Sequence, residues 1–409
     1  MDNLNRLKER LDTTSLILMY VLAFIGVAII FSATHNNDSS WMRHLYRTQL
    51  IWLLLGSIVL YVIVLLPARF FYDYAYLIYG FTLMLLFLVL LKGHATAGAT
   101  RWFAIGPIKI QPSEFAKIGT LLVMARVLSS SEISFEKITS LIWPCVLVLF
   151  PLMLTMKQPD LGTSMVFGAM FIPMLYFSGL TLVETFFVIS PILSLVLAFN
   201  TYFWAGFFIL LFALLIKFSR NLLVTAGFLV VNFSIGIVLP ILWNRMHDYQ
   251  KNRILSFVNP QHDPFGAGYQ VIQSQVAIGS GKIFGKGYLN GTQTRLSFLP
   301  EQHTDFIFSV LGEQFGFLGC LIVLGLFFAL VARLYILASE HNNKFLNLMT
   351  IGIASQLAFH IIINIGMTVG LMPVTGVPLP FLSYGGSFLL TSMIFMGFAV
   401  SVPKKSAEY

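Results

Sequence analysis

Apolar residues run along this chain in long stretches separated by short polar gaps, and the stretches share one characteristic length. Crossing a hydrocarbon core of about 30 Å takes roughly 20 residues of helix. Runs that meet this requirement fall at about 14–33, 49–66, 72–91, 115–129, 139–156, 163–179, 181–199, 202–218, 222–243, 305–331, 349–371 and 386–402. The pattern predicts an all-α integral membrane protein, a single polytopic bundle of about 12 transmembrane helices spanning the whole chain. The first run has no small-residue cleavage pattern behind it and leads directly to another span, so it reads as a span and not as a removable signal. Met1–Asp12 is a charged lead-in, and the one hydrophilic segment of any size is 244–304.

Composition agrees with the pattern and excludes an ordinary soluble domain. Apolar residues make up 57% and charged residues only 10% of the chain, against about 45–50% and about 25% in soluble proteins. Cys145 and Cys320 both lie inside apolar runs, which fits neither a disulfide framework nor a thiolate metal site. The formal net charge of +8 points, in a membrane protein, to anionic headgroups and anionic substrates. No basic stretch with interleaved aromatics suggests a nucleic-acid partner.

Lys and Arg set the expected orientation, because cytoplasmic loops retain them. With the N-terminus inside, Arg6, Lys8, Arg10, Arg69, Arg126, Lys137, Lys217, Arg220, Arg333, Lys344, Lys404 and Lys405 fall on the cytoplasmic side. Short outer loops then keep Arg43, Arg47, Lys92, Arg101, Lys109 and Lys157. The 244–304 loop is placed outside, and its own basic residues suit an anionic substrate there.

Several polar residues sit where apolar sequence makes them costly. Asp305 stands in LPEQHTDFIFS, where Glu301, Gln302, His303, Thr304 and Asp305 enter an apolar run. Facing lipid, such a carboxylate costs a few kcal/mol, so it should face a cavity or a partner. It can be a general base or substrate anchor, or simply a helix N-cap; Glu301 and His303 read more simply as solvated loop residues. Glu114 and Lys117 in QPSEFAKIG lie three apart, on one face of a helix opened by Pro112 and Ser113. They are either a structural ion pair or the lining of a cavity. Arg101 and Trp102 put a cation and an amphipathic ring at headgroup level, where Trp102 can also be a plain interfacial anchor. Asp160 in KQPDLGTS reads as the cap of the sixth span. In MPVTGVPLPFLSYGGSF, prolines and glycines interrupt apolar sequence. Backbone broken at membrane depth survives only where protein or a watery cavity satisfies it, so Ser383 and Tyr384 are expected to donate into such a cavity. No metal-ligand spacing is present. These residues leave open whether a substrate is moved or transformed.

At these motifs the sequence resembles the SEDS family, on its elongation side more than its division side. The matching stretches are GATRWFAIGPIKIQPSEFAKI, KQPDLGTS, the long run from HDYQKNR through LPEQHTDFIFSVLGEQFG, and PVTGVPLPFLSYGGS. The resemblance implies a peptidoglycan glycosyltransferase that polymerises lipid II into β-1,4 glycan strands during cell-wall elongation. The work would be done at the outer face of the bacterial cytoplasmic membrane. It places the family's essential aspartate on Asp305, its Trp on Trp102, and its QPSE-x-x-K pair on Glu114 and Lys117. The expected substrate-binding set is Arg101, Trp102, Glu114, Lys117, Glu301, His303, Ser383 and Tyr384. Partners implied are a class B penicillin-binding protein transpeptidase and other membrane proteins of the elongation machinery. A departing diphosphate suits a divalent cation, magnesium or manganese, as helper, although the sequence shows no cage for one. Family members usually have ten spans, so 181–218 reads as an added pair of helices. A lipid II flippase is the competing reading; it would need an acidic residue near mid-membrane, whereas Asp305 lies at a border.

Overall fold

The computed structural model describes residues 11–35, 40–92, 94–96, 99–105, 108–130, 138–219, 221–245, 251, 268–296 and 298–406. The lead-in up to residue 10 and most of the HDYQKNR to AGYQ part of the long loop lie outside the described residues. Twelve described helices of fifteen residues or more stand at the twelve expected positions. They are α1 (Thr13–Thr34), α2 (Leu45–Leu65), α3 (Ala68–Lys92), α4 (Pro112–Ser130), α5 (Ile138–Lys157), α6 (Leu161–Ser178), α7 (Leu182–Leu197), α8 (Thr201–Phe218) and α9 (Leu222–Arg245). A shorter α10 (Tyr269–Ser280) precedes α11 (Ile307–Ser339), α12 (Lys344–Thr368) and α13 (Gly386–Val400). Nine of these are long and apolar enough to cross a membrane. Helices α7 and α13 are shorter, and α4 carries Glu114, Lys117 and Arg126.

Short polar connections start the helices because the first amides of a helix have no partner within it. Asp12 accepts from the Ser15 amide, Asp160 from the Thr163 amide, Asn200 from those of Tyr202 and Phe203, and Asn343 from that of Leu346. Thr181 and Glu184 form a reciprocal capping box at α7. The buried centre of the bundle is α12, packed against α4, α6, α11 and α13. Helix α1 lies on α11, α2 on α13, and α3 on α4. On one flank α7 touches α6, and α8 and α9 pack chiefly on α7 and on each other. An apolar cavity of about 610 Å³ opens between α5, α6, α7 and α9, lined by residues that include Cys145, Phe171, Pro191 and Phe228.

Two features depart from the expected pattern. Between α3 and α4 the chain forms an antiparallel sheet, β1 (His94–Thr96), β2 (Ala99–Ile105) and β3 (Ile108–Ile110), in the order β1-β2-β3. The span expected at 305–331 is also not one continuous helix. Gly316, with φ 65 and ψ −162, breaks α11 into a buried half-helix before it and the lipid-length stretch after it. A break of this kind frees carbonyls on one side and amides on the other. The turn after α10 meets both sets. Lys286 and Gly287 donate their amides to the Glu313 and Gln314 carbonyls at 3.0 Å each. The Phe317 and Leu318 amides donate to the Lys282 and Ile283 carbonyls at 2.9 and 3.1 Å.

That junction tolerates no side chain at its centre. A Cβ on Gly316 would collide with the Gly285 nitrogen and the Ile283 carbonyl, and its φ is one that other residues adopt only under strain. Gly316→Ala is expected to destabilise the protein by about 1–3 kcal/mol or more, measured as a lowered thermal midpoint of purified protein in detergent. Gly325→Ala, in the same helix with open space around it, is the control expected to leave the midpoint unchanged.

Candidate functional site

The site is assembled from three pieces of irregular backbone: the turns 301–306 before α11, the segment 369–385 between α12 and α13, and the loop 158–160 between α5 and α6. Each piece is tied to the others. Ser383 accepts the Leu379 amide at 2.8 Å and donates its hydroxyl to the Thr304 carbonyl at 2.6 Å. The Tyr384 amide donates to the His303 carbonyl at 2.9 Å. Asn364, on α12, spends both amide protons here, on the Asp305 carbonyl at 2.9 Å and the Val377 carbonyl at 2.8 Å. One helical turn earlier, His360 Nδ1 donates to the Pro378 carbonyl at 3.1 Å. From α2, Gln49 donates to the Ser383 carbonyl and accepts the Gly385 amide.

Asp305 sits at the centre of this arrangement with its backbone held by Asn364, and among the described residues no hydrogen bond engages its carboxylate. It does not cap α11: Phe306 occupies the cap position and no side chain bonds there. Its charged neighbours are Glu301, Asp160 and Arg101. Burial, together with the two nearby carboxylates, pushes the Asp305 carboxyl up to about 7, against a smaller pull from the Arg101 guanidinium. A carboxyl in that range exchanges a proton at neutral pH, which is what a general base requires.

Arg101 lies on β2 and reaches across to the α5–α6 loop, where its side chain bonds the Gln158 carbonyl at 3.0 Å and the Pro159 carbonyl. Trp102 follows it, half-buried. Asp160 caps α6 as expected, through the Thr163 amide at 3.2 Å and hydroxyl at 3.0 Å, and also accepts from Gln111 at 3.1 Å. Its charge nevertheless acts on Asp305, and the sequence reading left that second role out. Glu301, exposed and with φ 52, accepts from the Thr304 hydroxyl. His303 lies with its ring 5.9 Å from that of Tyr384. Burial holds the His303 imidazole below its ordinary range despite Glu301, and burial raises the Tyr384 phenol.

Glu114 and Lys117 form a separate polar centre against α13. Their ion pair measures 2.8 Å, and the Lys117 side chain is wholly sealed from solvent. Glu114 also accepts the Thr391 hydroxyl at 2.9 Å, and the Lys117 ammonium stands 5.5 Å over the Phe388 ring. The His360 ring packs on the same phenylalanine. Lys117 is not among the charges that act on Asp305. Ser383 likewise has its hydroxyl fully used by backbone, so it fixes the segment rather than offering a free donor. The residues brought together around Asp305 are thus Arg101, Glu301, His303 and Tyr384, with Asp160 and Asn364 added by the structure; Trp102 is placed no nearer than its position next to Arg101 on β2.

The sign of the Asp305 shift makes a stability prediction. Its folded-state affinity for a proton is raised above that of the unfolded chain, so ionising it opposes folding. Stability from this group is full below the ordinary carboxylate range and is lost as pH rises through about 7. Asp305→Asn is therefore expected to melt at a higher temperature than wild type at pH 8 and at nearly the same temperature at pH 4.5. An unchanged difference across that range would contradict the assignment of the shift.

Comparison with known proteins places this arrangement in a family. The model of the cell-cycle protein family of FtsW, RodA and SpoVE matches residues 12–211 and 182–408. The chain is 33% identical over 422 residues to the peptidoglycan glycosyltransferase RodA of Treponema pallidum, covering 96% of this chain and 97% of that one. It is 34% identical over 396 residues to the peptidoglycan glycosyltransferase MrdB of Escherichia coli K12, covering 97% and 94%. Among solved structures it superimposes on a chain from work on the structural coordination of polymerization and crosslinking by a peptidoglycan synthase complex. That match has a TM-score of 0.73 at 28% identity and covers 98% of this chain and 99% of the other. The rod shape determining protein RodA of Thermus thermophilus matches with a TM-score of 0.64 at 26% identity, covering 97% of each. The chain belongs to the FtsW/RodA/SpoVE family.

Proposed function

We propose that this protein is a peptidoglycan glycosyltransferase of the elongation type, polymerising lipid II with Asp305 as general base. The observation that carries the reading is a carboxylate that caps no helix, has no hydrogen-bond donor among the described residues, and is raised to about 7 by burial and its acidic neighbours. In the proposed reaction Asp305 removes the proton from a sugar hydroxyl of the acceptor. That oxygen bonds to the anomeric carbon of the donor sugar as the bond from that carbon to the lipid diphosphate breaks. The proton rests on Asp305 until solvent takes it, and the electron pair leaves with the diphosphate. Arg101, whose charge already acts at this spot, faces the leaving group, and Trp102, Glu301, His303 and Tyr384 shape the sugar site. The buried Glu114–Lys117 pair, with Ser383, supports the floor of the site, and Lys117 reaches a diphosphate only where the segment above it moves.

A divalent cation, magnesium or manganese, fits these residues as a helper shared with the substrate. Among the described residues no three His, Cys, Asp or Glu side chains form a cage. Glu301, exposed beside the site, would help hold the ion from the protein side, leaving the Asp305 carboxylate free to act as base. When bound, the ion supplies neutralising charge to the leaving diphosphate. A class B penicillin-binding protein transpeptidase is the proposed partner that crosslinks the product, alongside other membrane proteins of the elongation machinery. The α7–α8 pair, at the flank of the bundle, is the proposed addition to a ten-helix core. The proposed location is the bacterial cytoplasmic membrane with Asp305 on the outer side.

Two experiments test this reading. Purified protein with its transpeptidase partner, given labelled lipid II in detergent, should make a glycan ladder on a gel, and Asp305→Asn should lower its yield by about 10²–10⁴-fold. Because a base acts only when ionised, wild-type activity should rise with pH through about 7. A normal ladder from Asp305→Asn protein would overturn the assignment, and detergent removes transport as an explanation for its loss. For sidedness, single cysteines at Asn290 and Ser406 are labelled in whole cells with an impermeant thiol reagent. Labelling at 290 alone is expected; labelling at 406 alone would place the site inside.

A further inference from the structure

We propose that the turn carrying Ile283 and Phe284 is a membrane-docking tip, which seats the long loop on the bilayer surface beside α11. These two side chains stand out from a turn of the hydrophilic loop with exposures of 57% and 79%. The turn that presents them is not loose. Its backbone makes the four hydrogen bonds that join it to both sides of the α11 break, and the Gly285 amide closes it on the Gly281 carbonyl at 2.7 Å. Gly285 holds φ 79 and Lys282 φ 52. A turn pinned by its backbone keeps its shape whatever its side chains do, and what it displays here is apolar.

The surface it joins identifies the occupant. From Phe317 to Ser339, α11 runs about 23 residues, which at about 1.5 Å each is about 34 Å, the thickness of a hydrocarbon core with a small margin. Phe317 therefore marks the boundary of the hydrocarbon at this end of the bundle. Phe317, Leu318, Leu321 and Ile322 are exposed and form the lipid-facing side of that stretch. Because Lys282 and Ile283 accept the amides of Phe317 and Leu318, the tip lies at the first turn of the span. Ile283 and Phe284 continue the lipid-facing surface upward into the headgroup region. Lys282, also exposed, is placed to reach anionic headgroup oxygens while the apolar pair enters the acyl boundary, the division of labour of interfacial segments. On the far side of the same turn, Lys286 bonds Glu313 at 2.8 Å. Glu313 also accepts the Gln293 and Thr294 amides at 2.9 and 3.1 Å. Whatever fixes the tip against the bilayer thus fixes the half-helix that begins two residues after Asp305.

Docking is tested in the full-length protein, with Cys145 and Cys320 replaced by Ala, reconstituted in nanodiscs of phosphatidylethanolamine and phosphatidylglycerol. An environment-sensitive fluorophore is attached at Phe284→Cys, and at Asn290→Cys as the exposed control on the same loop. At position 284 the expected result is blue-shifted emission quenched by lipids carrying a shallow nitroxide. At position 290 it is emission quenched only by aqueous iodide. Iodide quenching at 284 equal to that at 290 overturns the proposal. So does shielding at 284 that appears only when the transpeptidase partner is added, which would make the tip a protein interface. A double variant, Ile283→Asn with Phe284→Asn, should keep the detergent melting temperature, since the turn is held by backbone. It should lose polymerisation several-fold in nanodiscs. This last arm rests on the glycosyltransferase reading, and an Asp305→Asn control separates the two: an active control sinks that reading and leaves the fluorescence result standing.

Discussion

Inside a membrane the backbone has no water to bond, and every break in a helix must be answered by another piece of the protein. Each unanswered amide or carbonyl costs several kcal/mol, and the whole folded state is worth only about 5–15 kcal/mol. At the break at Gly316, the turn 282–287 bonds two carbonyls on one side and two amides on the other. The segment 369–385 is answered by Gln49, His360, Asn364 and the turns that carry Asp305. Three irregular stretches, far apart in sequence, have to meet because none of them could stand in lipid alone. The site is the place where they meet.

Charge is arranged by the same economy. The two polar centres are built differently. Glu114 and Lys117 are sealed and matched to each other at 2.8 Å, an arrangement in which removing one partner strands the other. Around Asp305, among the described residues, the carboxylates of Glu301 and Asp160 and the guanidinium of Arg101 act on its charge. The first centre is sealed from solvent. In the second, burial first and then the two nearby carboxylates raise the Asp305 carboxyl to about 7, a cost that a proton, or the charges brought by a substrate, can relieve.

The bundle was legible in the sequence because a helix that crosses a bilayer must be long and apolar, and that demand leaves a plain mark. The cap at Asp160 was equally local. The break in α11 left no mark in hydropathy, since Gly316 lies in a run as apolar as its neighbours. The available signal was Glu313, a carboxylate inside that run, which insertion cost alone flags. The sheet at 94–110 was hidden in a stretch read for headgroup anchors, although Gly106 and Pro107 form a turn signal between two short β-prone runs. Asn364 and Gln49 are polar residues in apolar helices and pointed the same way as Glu313. What no pattern could supply is that Asp160, fully explained as a cap, also acts on Asp305, because that proximity joins segments far apart in the chain and belongs to neither one's local sequence.

The contrast between these two aspartates explains why the helix had to be broken. An aspartate at the start of a continuous span would serve its own helix as a cap, and donors on its oxygens would stabilise the charged form and weaken it as a base. Asp160 is in that position: an amide, a hydroxyl and the Gln111 side chain bond its two oxygens. Asp305 enters its helix one residue too early to cap it, and Asn364 holds it by its carbonyl instead of its carboxylate. The half-helix up to Gly316 then sets the carboxylate back from the lipid-length part of α11. A carboxylate placed in this way is left, among the described residues, without the donors that bond Asp160, and the broken helix is what spares it the work of a cap.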